Sequence, residues 1–243
     1  MKKQYGNLIR SLASDTPADL TTEIAKFYKK TLPLFADEAI YIYSFKENRM
    51  IYADGWEGLL GYKDDEISLK IIIESTTKEY LDFSMEINDK AFQYLSTKTE
   101  NLEEYSFTLE LKKLHKNGSH VPLISKAAVF KSENGKILEV ISRVTINHSL
   151  QLGKVMRYKS FGPNPHEFEE LLSKTLFKFF FITCKEQEAL RLVSLGMTFK
   201  EIANQLDISQ SAVEKRIQSL YQRFEVKSLS HLISFAHQND MLV

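Results

Sequence analysis

Thr183-Cys184-Lys185-Glu186-Gln187-Glu188-Ala189-Leu190, Gly196-Met197-Thr198-Phe199-Lys200-Glu201-Ile202-Ala203 and Leu206-Asp207-Ile208-Ser209 decide the fold of the C-terminal region. Thr183 with Glu186, and Thr198 with Glu201, have the spacing of a capping box, in which each residue satisfies an orphan N–H of a helix start. Ala189, Leu190, Leu192 and Val193 follow on a helical period until Gly196 stops the helix. Asp207-Ile208 reads as a turn. Ser209 caps a longer helix, Gln210 to about Glu225, whose apolar stripe is Val213, Ile217, Leu220 and Phe224. A fourth helix begins near Ser228 with Leu229, Leu232, Ile233 and Ala236. Ala203 is small where the second and third helices cross, and Val213 can anchor the crossing. This predicts a helix-turn-helix that turns Ser211, Glu214, Lys215, Gln218 and Gln222 outward. Such a polar face can hydrogen-bond base edges and meet phosphates in a major groove.

Residues 183–238 resemble the LuxR/GerE-type DNA-binding domain of bacterial regulators. The family pattern Thr-x-Arg-Glu-x-Glu-Val-Leu stands here as Thr183 to Leu190, and Gly-x-Ser-x-Lys-Glu-Ile-Ala as Gly196 to Ala203. The resemblance implies double-stranded DNA as partner, Lys200 on phosphate, and Lys215 and Gln218 at base edges. The expected DNA-facing set is Lys200, Ser209, Gln210, Ser211, Glu214, Lys215, Arg216, Gln218, Gln222 and Arg223. One departure is plain: where the family has Thr-Val-Lys-x-His, this chain has Ala212-Val213-Glu214-Lys215-Arg216. Glu214 repels phosphate but can accept from cytosine N4, so the departure bears on sequence preference. Residues 182–243 hold seven Lys/Arg against seven Asp/Glu, and residues 210–227 four against two. So modest a basic bias predicts weak binding by one module and a homodimer on half-sites about 34 Å apart. In the family the fourth helix often pairs subunits, which implies the stretch Leu229 to His237.

The N-terminal half has a different period. Thr16 to Lys30 reads as a helix with Thr16 as cap, Pro17 in its first turn and Leu20, Ile24 and Phe27 on one stripe. Ala39–Phe45 and Arg49–Ala53 read as strands. Short helical turns follow, then a helical stretch from about Thr76 to Thr97. Tyr105–Leu114, Val121–Lys131 and Ile137–Ile146 are three further strands, joined through Asn117-Gly118 and Asn134-Gly135. With Leu59-Leu60-Gly61-Tyr62, Asp65-Glu66-Ile67 and His115-Lys116-Asn117-Gly118-Ser119, this order resembles the PAS fold over Leu34 to Ile146. The expected fold class is therefore two domains: an α+β PAS-like antiparallel sheet with short helices, then an all-α four-helix LuxR-type helix-turn-helix. The expected boundaries are an N-terminal helix to 33, the PAS-like sensor or dimerisation domain 34–146, a linker and connecting helix 147–180, and the DNA-binding domain 181–243. The connecting helix starts at Asn164-Pro165 and carries Phe168, Leu171, Leu172 and Leu176 on one face.

Tyr41, Tyr43, Tyr52, Trp56 and Phe83 are candidates to line a cavity for an apolar or aromatic molecule. The plain alternative for all five is core packing. The PAS flavin variant needs a cysteine in the mid-domain helices, and none is there. The haem variant usually takes a histidine from the long mid-domain helix, and there is none between Ile71 and Glu110. Flavin and haem are therefore not expected, and the cofactor, if any, is unknown. Cys184 stands in the first turn of a helix, where a dipole lowers a thiol pKa; a half-buried structural thiol is the alternative.

The 243 residues carry 32 Lys/Arg and 32 Asp/Glu, which excludes a polybasic coat as the means of binding nucleic acid. A single cysteine excludes an internal disulfide and a cysteine-based zinc site. No apolar run approaches the ~18 residues of a membrane span, so a cytoplasmic protein without membrane contact is expected. No Gly-rich phosphate loop, Gly-x-Ser-x-Gly elbow or His-Glu-x-x-His motif is present, so no catalytic residues or metal ligands are assigned and no enzymatic activity is expected. The function read from the sequence is a transcriptional regulator whose PAS-like domain senses a small-molecule or protein effector and modulates DNA binding by a dimer. Two alternatives stay open: a constitutive DNA binder with a dimerisation or docking scaffold, and a ligand-binding signalling module whose helical tail contacts protein.

Overall fold

The strands stand within one or two residues of their sequence positions in a computed structural model of the chain, which describes residues 7–148, 156–175, 181–239 and 241–242. They are β1 (Glu38–Ser44), β2 (Arg49–Asp54), β3 (Ser106–Leu114), β4 (His120–Glu133) and β5 (Lys136–Ile146). Between β2 and β3 lie α3 (Trp56–Leu60), α4 (Leu69–Glu74) and the long α5 (Lys78–Leu95). Every pairing is antiparallel, in the order β2-β1-β5-β4-β3, and the unit is a PAS-like α+β sheet. Asn134 and Gly135 both take positive φ, the backbone that closes a tight hairpin between β4 and β5. The two short sequence motifs touch: the Lys116 N–H donates to the Leu60 carbonyl at 2.9 Å, and the His115 ring lies where a side chain at Gly61 would stand.

The sheet is covered on both faces at β1, which accounts for its near-continuous burial. Ile40 and Ile42 pack with Ala25 and Tyr28 of α2 (Glu23–Thr31) and with Tyr52. From the first turn of α3, the buried Trp56 indole N–H donates to the Ile40 carbonyl at 2.9 Å.

Three sequence expectations are corrected. The N-terminal helix begins at Glu23, capped by Thr22 rather than Thr16, because the Asp19 side chain captures both the N–H and the hydroxyl of Thr21 in a turn. The shifted start puts Ala25 and Tyr28 inward and leaves Ile24 and Phe27 46% and 57% exposed. A separate short helix, α1 (Asn7–Leu12), precedes it. Secondly, the expected linker contains a sixth strand, β6 (Tyr158–Phe161), paired antiparallel with β3. It covers part of an edge that would otherwise offer unpaired backbone. Thirdly, α6 (Pro165–Thr175) buries Phe168 and Leu172 but exposes Leu171. Leu176 and linker residues 149–155 lie outside the described residues.

The chain divides into two compact units that are not contiguous in sequence. The first is Met1–His148 with Tyr158–Leu172, and the second is Ser149–Arg157 with Ser173–Val243. Within the second, Met156 bridges the backbone of Phe181, and both side chains are buried.

One residue of β3 breaks the apolar rule of the first unit. Phe107, Leu109, Leu111 and Lys113 alternate onto one face, and Lys113 is 4% exposed. Burial pushes its ammonium down to about 7, since a charge taken out of water is disfavoured. An unfolded lysine titrates near 10.4. Below about pH 7 both states are charged and the folded state carries the whole penalty; between about 7 and 10 the unfolded state alone holds the proton, so stability rises with pH. Lys113→Met should therefore stabilise the protein by on the order of 3 kcal/mol at pH 6. The gain should shrink toward pH 10, as read by urea unfolding followed across that range.

Candidate functional site

The second unit is built from four helices with local starts: α7 (Cys184–Ser194), α8 (Phe199–Gln205), α9 (Gln210–Arg223) and α10 (Leu229–Gln238). Both capping boxes are formed. The Thr183 N–H donates to Glu186 at 3.0 Å, and the Thr198 N–H to Glu201 at 2.8 Å. These bonds to Thr198 hold the Glu201 carboxyl below its ordinary range. Ser209 and Ser228 cap α9 and α10 by accepting from Ala212 and His231 N–H groups. The α8–α9 turn is made by Asp207 at φ 51°, after which the Ile208 N–H returns to the Ala203 carbonyl at 3.0 Å. Val213, Ile217, Leu220 and Phe224 enter the core with Leu190, Ile202 and Leu232.

That burial fixes what α9 shows to solvent. Ser211, Lys215, Gln218 and Gln222 form one exposed stripe at spacings of four, three and four, with Ser209 and Gln210 exposed at its start. Lys200 is exposed in the first turn of α8. Among the described residues neither Lys200 nor Lys215 is in an ion pair, and the first turn of α9 holds no acid. Glu214 and Arg216 are half-buried. The Gln210 amide donates to the Glu214 carboxylate at 2.9 Å, and Arg216 donates to the Lys185 carbonyl at 3.3 Å. Each of these two therefore already has a protein partner at the edge of the stripe.

Arg223 stands apart from that face, which corrects its place in the expected set. It is buried and meets Glu186 with two bonds, at 2.8 and 3.0 Å, while donating to the Phe181 carbonyl at 3.0 Å. Its guanidinium also lies 4.5 Å from the Phe181 ring centre. The reason is helical phase: three residues beyond Leu220, position 223 faces inward. The signal was an arginine on the apolar side of α9 and a capping-box acid on α7 to receive it. Cys184 opens α7 and is half-buried.

The first unit contains a cavity of about 90 Å³ between the sheet and α5, adjoining a second chamber of about 60 Å³. Both are bounded by Tyr41, Asn88 and Phe107. Of the five aromatic residues expected at a cavity, Tyr41 lines it; Tyr43, Tyr52, Trp56 and Phe83 are buried elsewhere in the core. Tyr52 falls on the other face of the sheet, its ring 5.7 Å from Tyr28. The Tyr43 hydroxyl is engaged 2.7 Å from the Leu12 carbonyl. Lys113 lines the smaller chamber. Among the described residues no group of His, Cys, Asp or Glu could hold a metal ion, and no helix is long and apolar enough to cross a membrane.

Comparison with known proteins bears on both units. Residues 181–236 match the family described as bacterial regulatory proteins, luxR family. The probable transcriptional regulator ycf29 of Guillardia theta is 22% identical over 213 residues, 86% of each chain. Among solved structures, the Vibrio cholerae VqmA dimer without target DNA is 17% identical and covers 90% of this chain and 89% of that chain, with a TM-score of 0.35. The N-terminal domain of a diguanylate cyclase with a PAS/PAC sensor from Marinobacter aquaeolei is 14% identical over 45% of this chain and 94% of that one, with a TM-score of 0.35.

The buried pair gives a stability prediction. Removing one partner leaves the other charge buried, at a cost of about 3–5 kcal/mol. Arg223→Ala and Glu186→Ala should each lower the unfolding free energy of the C-terminal unit by about that much. Lys215→Ala, on the exposed stripe, should stay within about 0.5 kcal/mol of the parent. Chemical denaturation followed by far-UV circular dichroism distinguishes the two classes.

Proposed function

Because residues 181–236 form a helix-turn-helix of the LuxR family of bacterial regulatory proteins, we propose that α9 enters the major groove of double-stranded DNA and that two copies of the chain bind adjacent half-sites. The observation that carries this is the exposed stripe of Ser211, Lys215, Gln218 and Gln222, opposite a fully buried apolar stripe. Ser209 and Gln210, at an α9 N-terminus free of acid in its first turn, receive a phosphate there. Lys200 meets the backbone from the first turn of α8, and Lys215 and Gln218 reach base edges. Arg216 stays at the rim. Glu214, held by Gln210, accepts from a cytosine amino group and excludes bases that offer only acceptors at that position. Arg223 orients the helix and touches no DNA.

The cavity of the PAS-like unit supports an effector-sensing role for the first unit, with a small molecule that alters DNA binding by the pair of copies. The family match to a regulatory protein supports regulation rather than catalysis as the activity of the chain.

Electrophoretic mobility shift over a salt series tests the interface. Affinity should fall steeply as salt rises. Lys200→Ala should weaken binding to all sequences and reduce the salt slope by about one. The double variant Lys215→Ala with Arg216→Ala should lose most binding while keeping the parent's circular dichroism. If the double variant binds as the parent does, the assignment of α9 as the reading helix is wrong. Glu214→Lys should raise affinity for non-cognate DNA and increase the salt slope by about one.

A further inference from the structure

We propose that the cavity of the PAS-like unit is built for a small apolar molecule bearing one carboxylate, which Lys113 receives at the inner end. This rests on the sensing role proposed above and names the chemistry that would be sensed.

The argument starts from the row Phe107, Leu109, Leu111 and Lys113. Three apolar side chains are followed, at the next inward position, by a lysine on the wall of the smaller chamber. Its Nζ donates to the Ile72 carbonyl and lies 3.0 Å from the Thr76 hydroxyl and 3.3 Å from that of Ser75. All three are neutral. They satisfy hydrogen bonds but supply no countercharge. No acidic residue lines the chamber: α4 presents Ile72 and Ile73 while Glu74 is exposed, α5 presents Ser84 and Asn88, and β4 presents Ser125. The buried acid of α5, Asp89, does not line it and is taken up by the N–H groups of Leu8 and Ile9, at 3.3 and 2.8 Å. A buried cation without an anion is costly unless it is paired. Burial alone holds Lys113 near 7, so it is poised at neutral pH to take up a proton when an anion arrives.

The rest of the enclosure selects what carries the anion. Its walls are largely aliphatic and aromatic, with Ser84, Asn88 and Ser125 among the polar groups, and the Tyr41 phenol adds a donor. Tyr41, hydrogen-bonded to Ser142, is pushed up to about 12 by burial and keeps its proton at all ordinary pH. Ser142 in turn lies 3.1 Å from Ser125. An amine or metal ion would meet an ammonium at close range, and an alcohol would leave that charge uncompensated. A carboxylate neutralises it and can also accept from Thr76. Chambers of about 60 and 90 Å³ suit a short chain or a single ring.

The test is calorimetric titration of the full chain with hexanoate and phenylacetate against 1-hexanol and 2-phenylethanol, matched in apolar body. The acids should bind about tenfold or more tightly than the alcohols at pH 6.5. Above pH 7 acid affinity should fall by up to about tenfold per pH unit, because the free lysine must first be protonated. At pH 8 the measured heat should vary with the ionisation enthalpy of the buffer, which reports proton uptake. In Lys113→Met the acids should lose their advantage while the alcohols still bind; circular dichroism confirms the fold. Equal binding of acids and alcohols to the parent chain overturns the proposal, as does undiminished acid binding by Lys113→Met. Alcohols binding better than acids overturns it but leaves effector sensing standing. If neither series binds and native mass spectrometry shows no mass above the bare chain, the sensing role falls with it.

Discussion

The bidentate pair between Glu186 and Arg223 ties the start of α7 to the last turn of α9 and, together with the buried apolar stripe, sets which face of α9 meets solvent. Glu186 closes the capping box of α7 and receives the guanidinium from the last turn of α9. One carboxylate thus closes the start of α7 and reinforces the rotation of α9 that its apolar stripe sets. Rotation matters because α9 has a narrow usable face. A turn of one residue, about 100°, would carry Lys215 out of the exposed stripe. Apolar contacts alone tolerate such slippage better than a planar fork does, since dispersion is non-directional while a two-bond guanidinium–carboxylate contact is not.

Much of this was legible in the sequence, and the legible part is the local part. Capping boxes at Thr183 and Thr198, the Ser209 cap and the stripe from Val213 to Phe224 are written within a few residues of one another, and all form as expected. The same holds for the five long strands and the Asn-Gly hairpin. Misplaced features have distant or competing causes. Arg223 went to the exposed set because its partner lies 37 residues away. The start of α2 moved because an aspartate turn at Asp19 outcompeted a Thr-Pro start. Strand β6 is only four residues long, too short to show a period. Of the aromatic residues, Tyr41 and Tyr52 could be separated only by strand register, since Tyr52 pairs with Ile42 and shares its face. Lys113 was visible as a charged residue in an apolar alternation, but alternation does not say whether a neighbour supplies the charge to match.

The two units handle buried charge in opposite ways. In the C-terminal unit an arginine and a glutamate neutralise each other inside the protein. In the PAS-like unit a lysine is buried against neutral oxygens, at a cost in stability that packing elsewhere must offset. A complete polar network specifies one state; an incomplete one leaves a site whose energy changes when something else completes it. Local departures from the rules of a well-formed core concentrate at places where function is exercised.

The division into units has a consequence for how this protein could be taken apart. The polypeptide passes from one unit to the other three times, after residues 148, 157 and 172. A protease cut near 148 would strip β6 and the start of α6 from the sheet they belong to. A cut near 172 would release helices that lack Met156, whose backbone bridges Phe181 beside the Arg223 pair. No single cleavage, and no single gene-fusion junction, yields both units whole. Exchange of the N-terminal unit by recombination, simple for domains joined end to end, would here need the interleaved strand to move with its sheet and the preceding residues to stay with the helices.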